Sequence, residues 1–330
     1  MSIYLPSSLT DTYTLQNGVR IPAIGYGTWQ TPNDVTAAHV KTAIDLGYRH
    51  VDTAWGYDNE IGVGEGVRAS GVKREDLFIT TKHWVTFRGY QNTIDAVEDS
   101  LKRLGMDYID LYLVHWPCVA ASRPDWQEIN ADTWRGFEKM YKDGKLRAIG
   151  VSNYEQKHIE ALAKTAEVMP MVNQLEFHPG YMQLDNIRYN QSQGILVEAW
   201  SPLGSGAVLK DETLAAIAAK YNKSVAQLCI RLSLDYGILP LPKSTNAERI
   251  AQNADVFDFE ISPEDRAAIE SMPTLGYSGY TPEEAPADKL AGLCYIEASG
   301  WNFLQKVPPR TPLQKTLYNK KDKVSANLKK

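Results

Sequence analysis

Eight short apolar runs recur along the chain, each followed by an amphipathic stretch, and that alternation restricts the fold more than any other feature. The runs are 24–29, 48–54, 77–82, 108–115, 146–152, 171–177, 195–200 and 238–242. Their apolarity is continuous rather than strictly alternating, as in strands covered on both faces of a parallel sheet. Between them, Ala37, Val40 and Ile44 form a helical stripe after the cap candidates Asn33 and Asp34 and before Gly47. Ile94, Val97, Leu101 and Leu104 do the same before Gly105, as do Trp134, Phe137 and Tyr141 before Gly144. One apolar face and a closing glycine are helix signatures. Eight strand–helix units predict an α/β (β/α)8 TIM barrel, with an open α/β sheet as the alternative. Asn17-Gly18, between apolar runs, predicts an N-terminal β-hairpin that plugs the bottom of the barrel. Pro240 and Pro242 argue against a fully central eighth strand, although a strand start tolerates proline.

With 43% hydrophobic residues among 330, the chain has ample material for a large core, which excludes a mostly disordered protein. Lysine and arginine number 35 against 40 acidic residues, and a net charge of −5 favours neither nucleic acid nor an anionic membrane as partner. Cys118, Cys229 and Cys294 are widely spaced and form no zinc or disulfide pattern, as expected in a reducing cytoplasm. No basic start followed by an apolar run marks a signal peptide, and no apolar stretch approaches the ~20 residues of a membrane span. The expected organisation is a barrel domain over residues 1–287 and a divergent C-terminal extension over 288–330, read as a solvated tail that ends basic.

In a barrel, the C-terminal strand ends form one mouth, and catalytic residues belong there. Asp52 ends the second strand and Tyr57 follows it, Lys82 ends the third and His115 ends the fourth. Such a set builds an acid. A phenol near its ordinary value of about 10 donates a proton poorly at neutral pH, and an adjacent ammonium held by a carboxylate makes it a better donor. A neutral imidazole can orient a carbonyl oxygen. Trp29, Trp55, Trp84, Trp116 and Trp200 also sit at or just beyond strand ends, where they would line an aromatic pocket. Gly62, Gly64 and Gly66 lie in a helical stretch without the preceding strand of a dinucleotide turn, and are read as close helix packing. Phosphate sites of barrels often lie after strands seven and eight at a helix N-terminus. The segments 201–206 and 243–249 suit that role, with Lys243, Ser244 and Arg249 supplying charge and donors. A metal-dependent hydrolase using His50, Asp52, His115 and His178 is a competing reading, because His50 and Asp52 share one face of a strand.

These residues stand in motifs that resemble the aldo-keto reductase superfamily: His50-Val-Asp-Thr-Ala-Trp-Gly-Tyr-Asp-Asn-Glu60, Thr80-Thr-Lys82, Leu111-Tyr-Leu-Val-His-Trp-Pro117, Gly150-Val-Ser-Asn153, Val172-Asn-Gln174, Ser201-Pro-Leu-Gly204 and Leu241-Pro-Lys-Ser-Thr-Asn-Ala-Glu-Arg249. The resemblance implies NADPH-dependent reduction of an aldehyde or ketone, with no metal. By motif position, Asp52, Tyr57, Lys82 and His115 match the family's catalytic tetrad. Ser152, Asn153 and Gln174 match the nicotinamide carboxamide site, and Ser201, Leu203 and Gly204 the pyrophosphate loop. Lys243, Ser244, Thr245, Arg249 and Asn253 match the adenosine 2′-phosphate end, with Gln252 near the adenine. Gly27, Thr28 and Trp29 join the cofactor site, and Trp29, Trp55, Trp84, His115 and Trp116 the substrate pocket. Trp200 stands where the family commonly has tyrosine stacking on the nicotinamide. The short connection after strand seven resembles compact bacterial members such as the diketogluconate reductases, and the segment from Asp288 departs from the family pattern. The resemblance implies a small-molecule carbonyl partner and a monomer or weak homodimer. A cofactor-binding regulatory subunit on the same scaffold is the alternative function.

Overall fold

The computed structural model describes residues 5–119 and 124–283, so the boundary expected at 287/288, the extension 288–330 and Cys294 lie outside the described residues. A hairpin of β1 (Thr12–Thr14) and β2 (Arg20–Pro22) comes first, with Tyr13 paired to Ile21. Its Asn17-Gly18 turn places Gly18 at φ +84°. Asn17 Nδ2 donates to the Arg147 carbonyl and Gln16 Nε2 to that of Gly194, both at the N-terminal end of a strand. The hairpin therefore lies across the bottom of the sheet, as its sequence predicts.

Eight parallel strands follow: β3 (Tyr26–Gly27), β4 (His50–Asp52), β5 (Phe78–His83), β6 (Ile109–Val114), β7 (Leu146–Ser152), β8 (Val172–Glu176), β9 (Leu196–Trp200) and β10 (Leu239–Pro240). They pair in sequence order. The amides of Gly25 and Gly27 donate to the carbonyls of Pro240 and Pro242, and these bonds close the sheet into a barrel. The Leu241 amide turns the other way, to the carbonyl of Ala199 on β9. The prolines thus direct their missing donors at the β3 seam, where the first strand supplies the N–H groups. That is why the eighth strand tolerates them.

Helices α1 (Asn33–Asp45), α2 (Glu60–Ala69), α3 (Tyr90–Leu104), α4 (Trp126–Lys142), α5 (Gln156–Ala163) and α6 (Leu184–Ser192) each follow a strand. Two, α7 (Glu212–Lys220) and α8 (Val225–Asp235), follow β9, while α9 (Ala247–Ala254) and α10 (Pro263–Glu270) follow β10. The expected α1 caps are corrected: Pro32 occupies the cap position without a side-chain bond, and Asn33 Oδ1 instead accepts the amide of Gly62 on α2. Proline is tolerated there because an N-cap amide is not required by the helix. The glycines of α2 face their neighbours. A Cβ at Gly64 would overlap the Leu104 carbonyl, and one at Gly66 would lie 2.7 Å from the Ala37 carbonyl. This supports close helix packing as the reading of that motif. No described helix is long and apolar enough to cross a membrane.

Candidate active site

The mouth residues converge because adjacent parallel strands are in register. Asp52 ends β4 beside Thr80, and Lys82 lies two residues further along β5, on the same face. Lys82 is fully buried, and its Nζ donates to Asp52 Oδ1 at 2.6 Å, to Oδ2 at 2.8 Å and to the Thr53 carbonyl at 2.8 Å. It also stands 3.4 Å from the Tyr57 hydroxyl and 4.9 Å from the centre of the Tyr57 ring. Burial alone would lower the Lys82 value, but the charges of Asp52 and Tyr57 outweigh it and hold the ammonium above its ordinary range. Burial pushes the Asp52 carboxyl up, against the opposing pull of Lys82 and Gln174.

Tyr57 closes a single 3₁₀ turn, Trp55–Tyr57, and this turn is anchored from two sides. Toward α3, the Trp55 indole N–H donates to Asp99 Oδ2 at 2.8 Å, and Arg103 lies over the indole while bonding Asp58 at 2.8 Å. Toward β3, Asn59 accepts from the Thr53 hydroxyl and donates to the carbonyls of Thr28 and Thr31. Trp55 is therefore placed against α3, whereas the sequence assigned it to the substrate pocket. The other tryptophans divide. Trp84 packs edge-on against His115 with ring centres 5.2 Å apart, and Trp116 is buried with its carbonyl accepting from Arg88. Trp29 is 46% exposed, the most open large apolar side chain among the described residues.

His115 stands edge-on to Tyr57 with ring centres 5.6 Å apart. Burial first, and then the Lys82 charge, hold its imidazole well below the ordinary value, so the ring is neutral. Its carbonyl accepts from Asn153 Nδ2, while Asn153 Oδ1 accepts the Trp200 indole N–H at 2.9 Å. Asn153 holds a left-handed φ of +62° to span these partners, and Ser152 Oγ donates to the Gln174 carbonyl. Gln174 Nε2 donates to Asp52 Oδ2 at 2.9 Å and to Glu198 Oε2 at 2.8 Å. Glu198 is absent from the sequence reading. Its signal was a carboxylate inside an otherwise apolar run, where an acid is almost never buried unless it has a task.

Beyond β9 the backbone turns left-handed at Ser201, Gly204, Ser205 and Gly206. Beyond β10, Tyr26 donates to the Ser244 carbonyl, and Asn246 caps α9 by accepting the Arg249 amide. Arg249, Gln252 and Thr245 are exposed and Asn253 is buried. Lys243 is half-buried, and burial lowers its value with no opposing carboxylate. An anion at that place would push the value back up by favouring the ammonium form.

The competing metal set does not assemble. His50 bonds Thr80, His178 bonds Glu176 and the Pro179 carbonyl, and Asp52 is committed to Lys82. Among the described residues, the group with ligand atoms close enough for a cation is Glu155, His158 and Glu283. There the Lys157 ammonium already lies 2.7 Å from Glu283 and 3.2 Å from Glu155.

Two buried histidines behind the site make acid sensitivity an expected property. Burial lowers both His50 and His83 from 6.5 to about 3. Between those values the unfolded chain binds more protons, so stability present above pH 6.5 is lost as pH falls toward 3. Each histidine contributes a slope of about 1.4 kcal/mol per pH unit in that window. His83→Gln should flatten the acid limb of the unfolding free energy, measured by urea denaturation across pH, by that amount, and an unchanged slope would refute the assignment.

A parallel barrel thus carries a buried Asp–Lys pair beneath a tyrosine and a neutral histidine at one mouth. The aldo/keto reductase family model matches residues 23–273, and the chain belongs to that family. Glyoxal reductase of Bacillus subtilis is 50% identical over 281 residues, spanning 85% of this chain and 99% of that one. Methylglyoxal reductase DkgA of Escherichia coli is 38% identical, over 78% of this chain and 92% of its own. The crystal structure of a Bombyx mori aldo-keto reductase in complex with NADP is 36% identical with a TM-score of 0.76, covering 83% of this chain and 99% of that one.

Proposed function

We propose that this protein reduces small aldehydes and ketones to alcohols with NADPH, Tyr57 being the proton donor. The observation that carries the reading is the buried Lys82 ammonium, fixed by Asp52 and set 3.4 Å from the Tyr57 hydroxyl. As the carbonyl carbon is reduced, its oxygen gathers negative charge and takes the Tyr57 proton. The phenolate left behind is stabilised by Lys82, whose charge Asp52 secures. Neutral His115 donates a hydrogen bond to the same oxygen and sets its direction. The nicotinamide cofactor, when bound, supplies the hydride.

Ser152, Asn153 and Gln174 would hold the carboxamide, with Trp200 beside the ring. Ser201, Leu203 and Gly204 would hold the pyrophosphate. Lys243, Ser244, Thr245, Arg249 and Asn253 would hold the 2′-phosphate end, with Gln252 at the adenine and Gly27, Thr28 and Trp29 completing the site. Trp29, Trp84, Trp116 and His115 are the proposed substrate wall, and Trp55 acts as an anchor of the Tyr57 turn. The relatives named glyoxal and methylglyoxal reductases support small carbonyls as substrates.

The test is NADPH absorbance across a panel that includes glyoxal, methylglyoxal, sugar ketones and aromatic aldehydes. No consumption with any of them would end the proposal. Cofactor choice is tested at Lys243. Lys243→Ala should raise the KM for NADPH about tenfold, as expected for loss of a charge-assisted bond, and leave that for NADH nearly unchanged. Equal effects on both cofactors would place Lys243 outside the phosphate site.

A further inference from the structure

Glu198 sits on β9 directly beside Gln174 of β8 in the sheet register, and it is fully buried. Its Oε2 accepts one hydrogen of the Gln174 amide, while Asp52 Oδ2 accepts from the same nitrogen. A primary amide nitrogen has two hydrogens, and here both face carboxyl groups. Turning the amide over would set its oxygen against the Asp52 carboxylate, which can only accept, and would give up the bond its N–H makes to Glu198, so the flipped form is disfavoured. The Gln174 oxygen is left to face whatever else approaches.

We propose that Glu198 is a positioning residue, which with Asp52 locks the Gln174 amide so that the pocket offers an acceptor to a ligand's N–H donor. This inference rests on the cofactor reading above, in which that donor is the nicotinamide carboxamide. It adds a residue that touches neither substrate nor cofactor and acts through Gln174.

Charge counting supports the arrangement. Among the described residues, Asp52 on β4 and Lys82 on β5 are the charged groups acting on Glu198. Its register neighbours, Gln174 on β8 and Leu239 on β10, are neutral. One ammonium faces two carboxyl groups, and it is bonded to Asp52 through both oxygens. Burial, followed by the Asp52 charge, pushes the Glu198 carboxyl up to about 8, so at neutral pH it carries the proton that balances the cluster. Glu198 Oε1 is buried without a partner, which opposes ionisation of the group.

The experiment reads Gln174 itself in the full-length, cofactor-free protein. Its side-chain NH₂ resonance, identified by its loss in Gln174→Glu, is followed by ¹⁵N NMR from pH 6.5 to 9.5. It should move with a midpoint near 8 in the parent and stay still in Glu198→Gln. A resonance that does not move in the parent, or still moves in Glu198→Gln, overturns the proposal. In a second arm, tryptophan fluorescence reads NADP⁺ binding. Glu198→Leu should weaken it about tenfold, whereas Glu198→Gln, which keeps an acceptor, stays within about twofold of the parent. A purely structural buried acid would instead tolerate leucine without loss of affinity, and that result overturns the proposal as well. Should Glu198→Leu fail to fold, the NMR comparison with Glu198→Gln decides alone. A parent whose amide titrates as expected but which binds no NADP⁺ leaves the lock standing and removes the cofactor reading.

Discussion

Tyr57→Phe should lower kcat about a thousandfold with a reactive aldehyde while leaving cofactor affinity nearly unchanged. The substitution removes one oxygen and little else. The phenyl ring can keep its edge-on contact with His115 and its place 4.9 Å from Lys82, and the turn stays anchored by Trp55 and Asn59. What disappears is the hydroxyl whose oxygen lies 3.4 Å from the Lys82 ammonium, and with it the proton to be donated. Without it the developing alkoxide has a neutral imidazole as its nearest designed donor, and that group lacks the adjacent charge that makes the phenol a ready acid. Stopped-flow or steady-state NADPH absorbance, paired with a fluorescence titration of the cofactor, separates chemistry from binding. Turnover within about tenfold of the parent would transfer the proton to another residue and refute the assignment.

The second large effect concerns the pair beneath it. Lys82→Met should cost about 3–5 kcal/mol of stability, because it leaves Asp52 buried with its principal counter-charge gone. The same change should abolish turnover. Asp52→Leu combined with Lys82→Met removes both charges, and most of the lost stability should return while activity does not. Urea denaturation of the parent, the single and the double variant at neutral pH measures the cycle. If Lys82→Met matches the parent in stability, the pair is not the electrostatic keystone described above. If the double variant is as unstable as the single one, packing rather than charge governs the site.

The barrel was legible because its strands are short, nearly uniform in apolarity and separated by stretches with a helical stripe and a closing glycine. The convergence of Asp52, Tyr57, Lys82 and His115 was legible because a strand's C-terminal end is an address that the chain order reveals. Other features depend on contacts that no local pattern encodes. Asn33 looked like a cap for its own helix, yet its side chain serves the next one, since Gly62 presents an open amide at the same place. Trp55 looked like part of the pocket, but a 3₁₀ turn rotates its indole toward Asp99. The left-handed backbone at Asn153 and Ser201 is imposed by the partners those residues must reach, and neither is a glycine that would announce it. Glu198 was hidden by its surroundings, because a single acid does not break the apolar run that contains it.

The seam between β3 and β10 carries donors from one side alone, since Pro240 and Pro242 have no N–H to return. A barrel sewn evenly around its circumference opens nowhere in particular, whereas this one has a designated weak stitch. The chain leaves that stitch directly into Lys243 and, a few residues on, the start of α9. The amides of Gly25 and Gly27 are its natural reporters, exchanging with solvent when the staves part.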